Sequence, residues 1–250
     1  MSSPQKSTLW LYLFTALLFC RPALSEEILV FYNESLPFCG TIDQQETGIA
    51  VEILKQITAH GGPEFRFRSV LWPEAQRLIH EVPNSALIPF TRTATREPNH
   101  AWIVKLFSHQ PSVTTTQAQF AQAKLPSPLA LHDIKYLKLG VIAGSAFIPE
   151  LEQQGFSRFM EVKNALLNTN MLQRGRINGI IESEVVTRYF WKKAGLNPQE
   201  LRVLVKLGEP QDIYLASGLH FSAETTQSIR SAMAIMFKNK AVERIIARWQ

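Results

Sequence analysis

The chain is short of cysteine, of clustered charge and of long apolar runs, and each shortage removes a class of answer. Of its 250 residues two are cysteine, Cys20 and Cys39. Cys20 falls in a leader described below, so Cys39 stands alone in the mature chain, no intramolecular disulfide forms, and stability must come from a packed core. Cys39 therefore reads as a buried, inert thiol. Lys and Arg number 26 against 21 Asp and Glu, a net charge of +5, yet nowhere do five or six basic residues run together. Dispersed charge of this kind describes a solvated surface and excludes a nucleic-acid footprint. Beyond residue 25 no stretch without charge is long enough to cross a membrane, which takes about 20 apolar residues.

Catalytic signatures are missing as well. There is no Gly-x-Ser-x-Gly, no His-Glu-x-x-His, no phosphate-cradling glycine loop and no Cys-x-x-Cys. The six histidines (His60, His80, His100, His109, His132 and His220) show no metal-ligand spacing. No catalytic residue, metal or cofactor is expected.

What is present begins with "MSSPQKSTLWLYLFTALLFCRPALS", residues 1–25. Lys6, an uncharged stretch from Ser7 to Cys20, and the small-x-small series Ala23, Leu24, Ser25 make this a secretory signal peptide cleaved after Ser25. Phe19 is too bulky for the position before a lipid-modified cysteine. Cleavage removes Lys6 and Arg21 and no acid, so the net charge falls by two, to +3. The expectation is a soluble, monomeric protein exported to the periplasm.

Two runs of alternating strands and helices follow. "EILVFYN" (Glu27 to Asn33) reads as a strand. Thr47 to Gly62 reads as a helix, with Val51, Ile53, Leu54 and Ile57 on one face and a Gly-Gly stop. Glu64 to Trp72 alternates as a strand, Pro73 to Val82 opens with proline at a helix start, and "SALIPF" closes a βαβαβ unit. After the proline-punctuated "AKLPSPLALHDI" the same grammar restarts. Leu137 to Gly155 gives strand, Gly-Ser turn and helix, and Ala165 to Gly195 gives helix, strand and helix. The last segment, Ala223 to Gln250, is helical, with Ile229, Met233, Met236 and Phe237 on a stripe expected to pack on a lobe. An α/β fold of two lobes follows.

Within this frame "LIPFTRTATREPNHAWI", residues 87–103, runs from an apolar strand into three threonines and two arginines. Such a loop, held at a sheet edge, is where ligands are met. From Ile28 to Trp249 the chain resembles periplasmic solute-binding proteins of extracellular family 3, the polar amino-acid binders. The likeness rests on "TGIAVEILKQI", "VLWPEAQRLI", "TRTATRE" followed by "AWIVKLFS", "LGVIAGSAF", "LQRGRINGIIESE" and "VERIIARW", in that order. It implies the type II periplasmic-binding-protein fold, each lobe a mixed sheet flanked by helices, with a two-strand hinge. Lobe one would comprise 26–112 with 213–250, and lobe two 113–212.

The resemblance also implies a site. Pro89 would offer a backbone carbonyl and Thr91 a hydroxyl to a ligand ammonium, and Arg96, five residues on, a guanidinium to its carboxylate. A planar fork meets a carboxylate through two charge-assisted bonds. By spacing alone Arg96 could instead cap a helix or pair with Glu97 at the surface, while Arg92, out of phase with Thr91 and Thr93, is expected to face solvent. From lobe two, the turn at Gly144, Ser145 and Ala146 would close on the carboxylate through free backbone amides. Trp72 and Phe38 would cover the ligand's apolar part. The chain departs from the family at "INGIIESEV", where Asn178 and Gly179 replace the usual Asp-Ala pair. That leaves open whether Glu182, Ser183 or Glu184 faces the cleft, with Glu182 the candidate. The implied function is capture of an amino acid or organic acid for a membrane permease or sensor. The alternative is a cyclohexadienyl dehydratase on the same fold, with Glu182 as the acid.

Overall fold

The computed structural model describes residues 27–143 and 148–250. The expected signal peptide at 1–25 and the candidate residues Ser145 and Ala146 lie outside the described residues.

The first sheet runs β4-β1-β5-β12-β6. Its strands are β1 (Ile28–Tyr32), β4 (Phe65–Ser69), β5 (Ser85–Thr91), β6 (Ala101–His109) and β12 (Gln211–Ser217). β1 lies parallel to β4 and β5, and β12 lies antiparallel to β5 and β6. Parallel neighbours need helical crossovers, supplied by α1 (Ile49–Ala59) and α2 (Trp72–Glu81). Alternation along the strands sorts their side chains onto two faces. Val30, Tyr32, Ala86 and Ile88 pack beneath α1 in one core, and Phe31 and Leu87 meet Ala75 and Ile79 of α2 in another. Each of the fully buried Val, Leu, Ile and Phe side chains contributes on the order of 1.5–3 kcal/mol.

The second sheet runs β11-β7-β10-β8-β9, from β7 (Pro111–Thr116), β8 (Leu139–Ile142), β9 (Phe159–Val162), β10 (Gly179–Ser183) and β11 (Leu201–Lys206). It is mixed as well: β8 runs parallel to β9 and β10, while β7 is antiparallel to β10 and β11. Short helices α3 (Gln117–Ala123), α4 (Ile148–Gln153), α5 (Ala165–Gln173) and α6 (Glu184–Lys193) surround it. Ile181, Val113 and Val141 fill one face, and Ile180, Leu172 and Trp191 the other.

The chain passes between the sheets twice, through Gln110 after β6 and through 207–210 after β11. The two passages are tied together, since Gln110 Nε2 donates to the Gly208 carbonyl (2.6 Å) and the Leu207 amide to the Pro111 carbonyl (2.8 Å). The chain then returns to the first sheet and ends in α7 (Ala223–Lys238) and α8 (Ala241–Arg248).

Several boundaries differ from the pattern reading. A hairpin of β2 (Gly40–Ile42) and β3 (Gln45–Thr47) precedes α1, so Thr47 belongs to a strand. The switch falls at Gly48, whose φ of 117 and whose close approach to Cys39, 2.7 Å from where a Cβ would stand, exclude other residues. On α7, Ile229, Met233 and Met236 are buried as the stripe requires, but Phe237 is 44% exposed, because one step past Met236 turns a side chain by about 100°. Cys39 is fully buried, and burial pushes its thiol up. Among the described residues no helix is long and apolar enough to cross a membrane.

Candidate functional site

β5, the central strand of the first sheet, ends at Thr91. A turn follows, in which the amides of Arg96 and Glu97 both donate to the Thr93 carbonyl at 3.0 Å. This turn folds Arg96 back over the strand it follows. Its Nη1 donates to the Thr91 carbonyl (3.0 Å), and the guanidinium carbon lies 4.5 Å from the Phe90 ring centre and 5.9 Å from that of Trp72. Trp72 itself leans on Phe90, with centroids 5.7 Å apart. From behind, Nδ1 of His100 donates to the Arg96 carbonyl (3.0 Å).

The surface pairing that spacing offered to Arg96 belongs to Arg92. Its Nε and Nη2 donate to the two Glu97 oxygens at 2.6 and 2.5 Å, and its guanidinium lies over Trp102 and Tyr214 at 5.5 and 5.4 Å. Arg92 is thus exposed, as expected, and at the same time paired and stacked. The Glu97 carboxylate holds Arg92 above its ordinary pKa, and Arg92 in turn holds Glu97 below its own. Arg96 has no carboxylate partner among the described residues, and partial burial lowers its pKa. A guanidinium ordinarily titrates above 12, so it stays charged. A cation bedded on rings and lacking an anion is equipped to take one in two parallel bonds.

Thr91 and Pro89 lie on the same strand end as Arg96, both half-buried. Phe38 lies apart from this group. It follows the bridge region after β1 and stacks on Phe107 (5.4 Å, interplanar 29°) and against His109 (5.3 Å) beside the first passage between the sheets. His109 went unnoticed in the sequence. Burial lowers its pKa, favouring the neutral ring, and its Nδ1 is buried without a partner among the described residues.

Glu182 comes from the second sheet, where β10 sets it opposite Ser112 of β7. The side chain is half-buried, and its Oε1 accepts from the Ser183 amide at 2.8 Å. Burial raises its pKa, with that amide pulling the other way. No cation pairs with it among the described residues. Of the two neighbours left open by the sequence, Ser183 is buried with an unpartnered hydroxyl, and Glu184 is committed to Arg188 at 2.7 Å. Among the described residues no three His, Cys, Asp or Glu side chains converge as a metal would require.

The site thus falls into three groups: Arg96 with Thr91, Pro89 and Trp72; Phe38 with His109; and Glu182 with Ser183. Phe90, the ring directly under Arg96, was missed for a definable reason. Strict alternation would put it on the face of Ile88. A register shift in the β5–β12 pairing between Tyr214 and Ala216 instead brings it, with Leu87, to the α2 side.

No family model matches the chain, and no curated protein matches it. Solved structures do. Substrate-binding domain 2 of GlnP from Lactococcus lactis, in an open conformation, aligns with a TM-score of 0.71 at 18% identity, covering 89% of this chain and 94% of that one. An ancestral cationic amino-acid solute-binding protein aligns with a TM-score of 0.73 at 13% identity, covering 89% and 95%. The periplasmic VFT2 domain of BvgS from Bordetella pertussis aligns with a TM-score of 0.65 at 17% identity, covering 99% and 100%. These likenesses and the two mixed sheets joined by two passages define the fold as the two-lobed periplasmic-binding-protein type.

Proposed function

We propose that this protein is an exported solute-binding protein, not an enzyme, that closes its two lobes on a small carboxylate-bearing ligand. The ligand is an amino acid or related organic acid, and the closed form is presented to a membrane permease or sensor. The observation that carries the reading is the free guanidinium of Arg96, held by Thr91, Phe90 and Trp72 while Glu97 is taken up by Arg92. The named binding roles of the similar GlnP domain and of the ancestral protein support it.

In this reading 26–112 with 213–250 and 113–212 move as two bodies about the passages at Gln110 and 207–210. Arg96 takes the carboxylate, and Thr91 and the Pro89 carbonyl take an ammonium or hydroxyl. Trp72 and Phe38 cover the apolar part, and Ser145, Ala146 and Glu182 make the contacts of closure. Once a thermal-shift screen of amino acids and organic acids has found a ligand, small-angle scattering provides the test. Saturating ligand is expected to lower the radius of gyration, and Arg96→Ala to abolish the change. A tight ligand that leaves the profile unaltered overturns closure.

The half-buried carboxyl of Glu182, its pKa raised by burial, favours one second reading, a prephenate or arogenate dehydratase in which it serves as acid. Incubation with either substrate separates the two. Turnover that disappears in Glu182→Gln would establish the enzyme, and intact substrate the binder.

A further inference from the structure

Away from the cleft, where α6 of the second lobe meets α8 and the β2–β3 hairpin of the first, lies an open groove of ≈ 550 Å³. Its floor is apolar: the rings of Tyr189 and Trp249 stand 5.5 Å apart at 39°, and Ile42 is 40% exposed beside them. Its rim is cationic. Lys192 and Lys193 are exposed and have no carboxylate partner among the described residues, and the Lys193 ammonium sits 5.8 Å from the Tyr189 ring. The groove's one acid, Glu52, is consumed within it, accepting from Arg248 Nη2 (2.5 Å) and Trp249 Nε1 (2.8 Å). Three cations against one carboxylate leave the rim positive, and the unpaired charges belong to the two lysines.

We infer that this groove is a second small-molecule site, distinct from the cleft, and that it takes an aryl carboxylate. A planar apolar body lies against Tyr189, Trp249 and Ile42, while its carboxylate meets Lys192 and Lys193. The size suits such a ligand, since small-molecule pockets of about 300–1,000 Å³ are the rule. The two rings are tilted 39° to each other, so a flat ring can stack with an offset on one and meet the other obliquely. The charge excludes cations and leaves neutral arenes without half of the contact. The inference does not depend on what the cleft binds. Its lining is shared, Ile42, Glu52 and Trp249 coming from one lobe and Tyr189, Lys192 and Lys193 from the other. An occupant therefore touches both lobes and acts on their relative placement through contacts that differ between open and closed forms.

Calorimetric titration of the full mature chain with cinnamate, with cinnamamide as the uncharged control, tests the site. Cinnamate is expected to bind and cinnamamide to bind at least about 10-fold more weakly, since the ammonium groups gain nothing from an amide. The double variant Lys192→Glu/Lys193→Glu, at exposed positions, is expected to lose about 10-fold or more in cinnamate affinity. On the other lobe, Ile42→Glu places a like charge at the floor and is expected to weaken binding about 5-fold or more. The cleft also carries a carboxylate anchor, so the Arg96→Ala background distinguishes the two sites: binding through the groove persists there. No cinnamate binding, equal affinity in the lysine double variant, or binding that disappears with Arg96 would each overturn the proposal. Loss in the lysine variant with none in Ile42→Glu would overturn the sharing of the site between lobes.

Discussion

The two groups at the centre of the proposed site differ: beside the first sheet Arg96 has a backbone acceptor, an aromatic bed and no acid partner among the described residues, while in the second sheet Glu182 has a single backbone amide and no cation partner among them. The difference is one of preparation. The Phe90 and Trp72 rings fix where the guanidinium lies before any ligand comes, which spares ordering cost on binding. In the second sheet, the half-buried Glu182 carboxyl and the Ser183 hydroxyl, without a partner among the described residues, are polar groups taken from water without full return. On the proposed reading Arg96 selects a carboxylate by itself, while the group around Glu182 gains only when something arrives to complete it, so ligand class would be decided at Arg96 and ligand identity at Glu182.

Arg96→Lys should produce the largest change. An ammonium cannot reproduce two parallel bonds to a carboxylate or lie flat on Phe90, so a loss of about 2 kcal/mol or more, ~30-fold in affinity, is expected. Calorimetry with the ligand found by thermal shift measures it, with circular dichroism to show that the fold is retained. Unchanged affinity would remove the prepared group from the comparison.

Next comes Glu182→Gln, which sharpens the other group. A carboxyl whose folded-state pKa is raised holds its proton more tightly folded than unfolded, so without ligand stability falls as pH rises from the ordinary carboxylate pKa to the raised one. Glutamine keeps the shape and cannot ionise. The variant should therefore melt higher than the parent at neutral pH, and the gap should close in acid, below the ordinary carboxylate range near 4.3. A gap independent of pH would mean that Glu182 ionises freely. If the ligand carries an ammonium, its binding to the parent favours the ionised form of Glu182, and any proton release this causes, read by calorimetry in buffers of different ionisation enthalpy, will be absent from the variant.

How far these groups were legible in the sequence follows the same division. The interval from Thr91 to Arg96 is a local pattern, and five residues of chain suffice to place the guanidinium near the strand end. Glu182 depends on the register of β10 against β7 and β8, which no local pattern contains, so the sequence left Ser183 and Glu184 open beside it. One strand of the second sheet, β7, was hidden for a related reason. The Thr-rich strand "PSVTTT" is buried almost throughout although its residues read as polar. Its hydroxyls are satisfied within the fold: Thr115 Oγ1 donates to the remote Asn178 carbonyl (2.6 Å), Thr114 Oγ1 pairs with Ser112 Oγ (3.2 Å) and Thr116 Oγ1 accepts from the Gln119 amide (3.2 Å). Arg92 is exposed as alternation implied, but its pairing with Glu97 and its place over Trp102 and Tyr214 follow from the turn at Thr93, which alternation does not contain.

The smallest effect, and the one most specific to the Arg96 group, concerns that second arginine. Arg92 and Arg96 are alike in chemistry and four residues apart, yet one is neutralised by Glu97 and the other is not. The Arg92–Glu97 pair is exposed, with 41% and 46% of the two side chains accessible, so its direct value to stability is small. Its use is to keep Glu97, the next residue along the chain, away from Arg96. Arg92→Ala frees that carboxylate to compete with the ligand for the only other guanidinium of the loop, and an affinity loss of about twofold to fivefold is expected. Removing the competitor as well, in Arg92→Ala/Glu97→Ala, should restore affinity to the parent value, a non-additivity that direct ligand contact by Arg92 would not produce. Titration of the parent, the single variant and the double variant with the same ligand decides it. A double variant as weak as the single one would place Arg92 in the site, and a single variant as weak as Arg96→Lys would mean that the two arginines share the anchor.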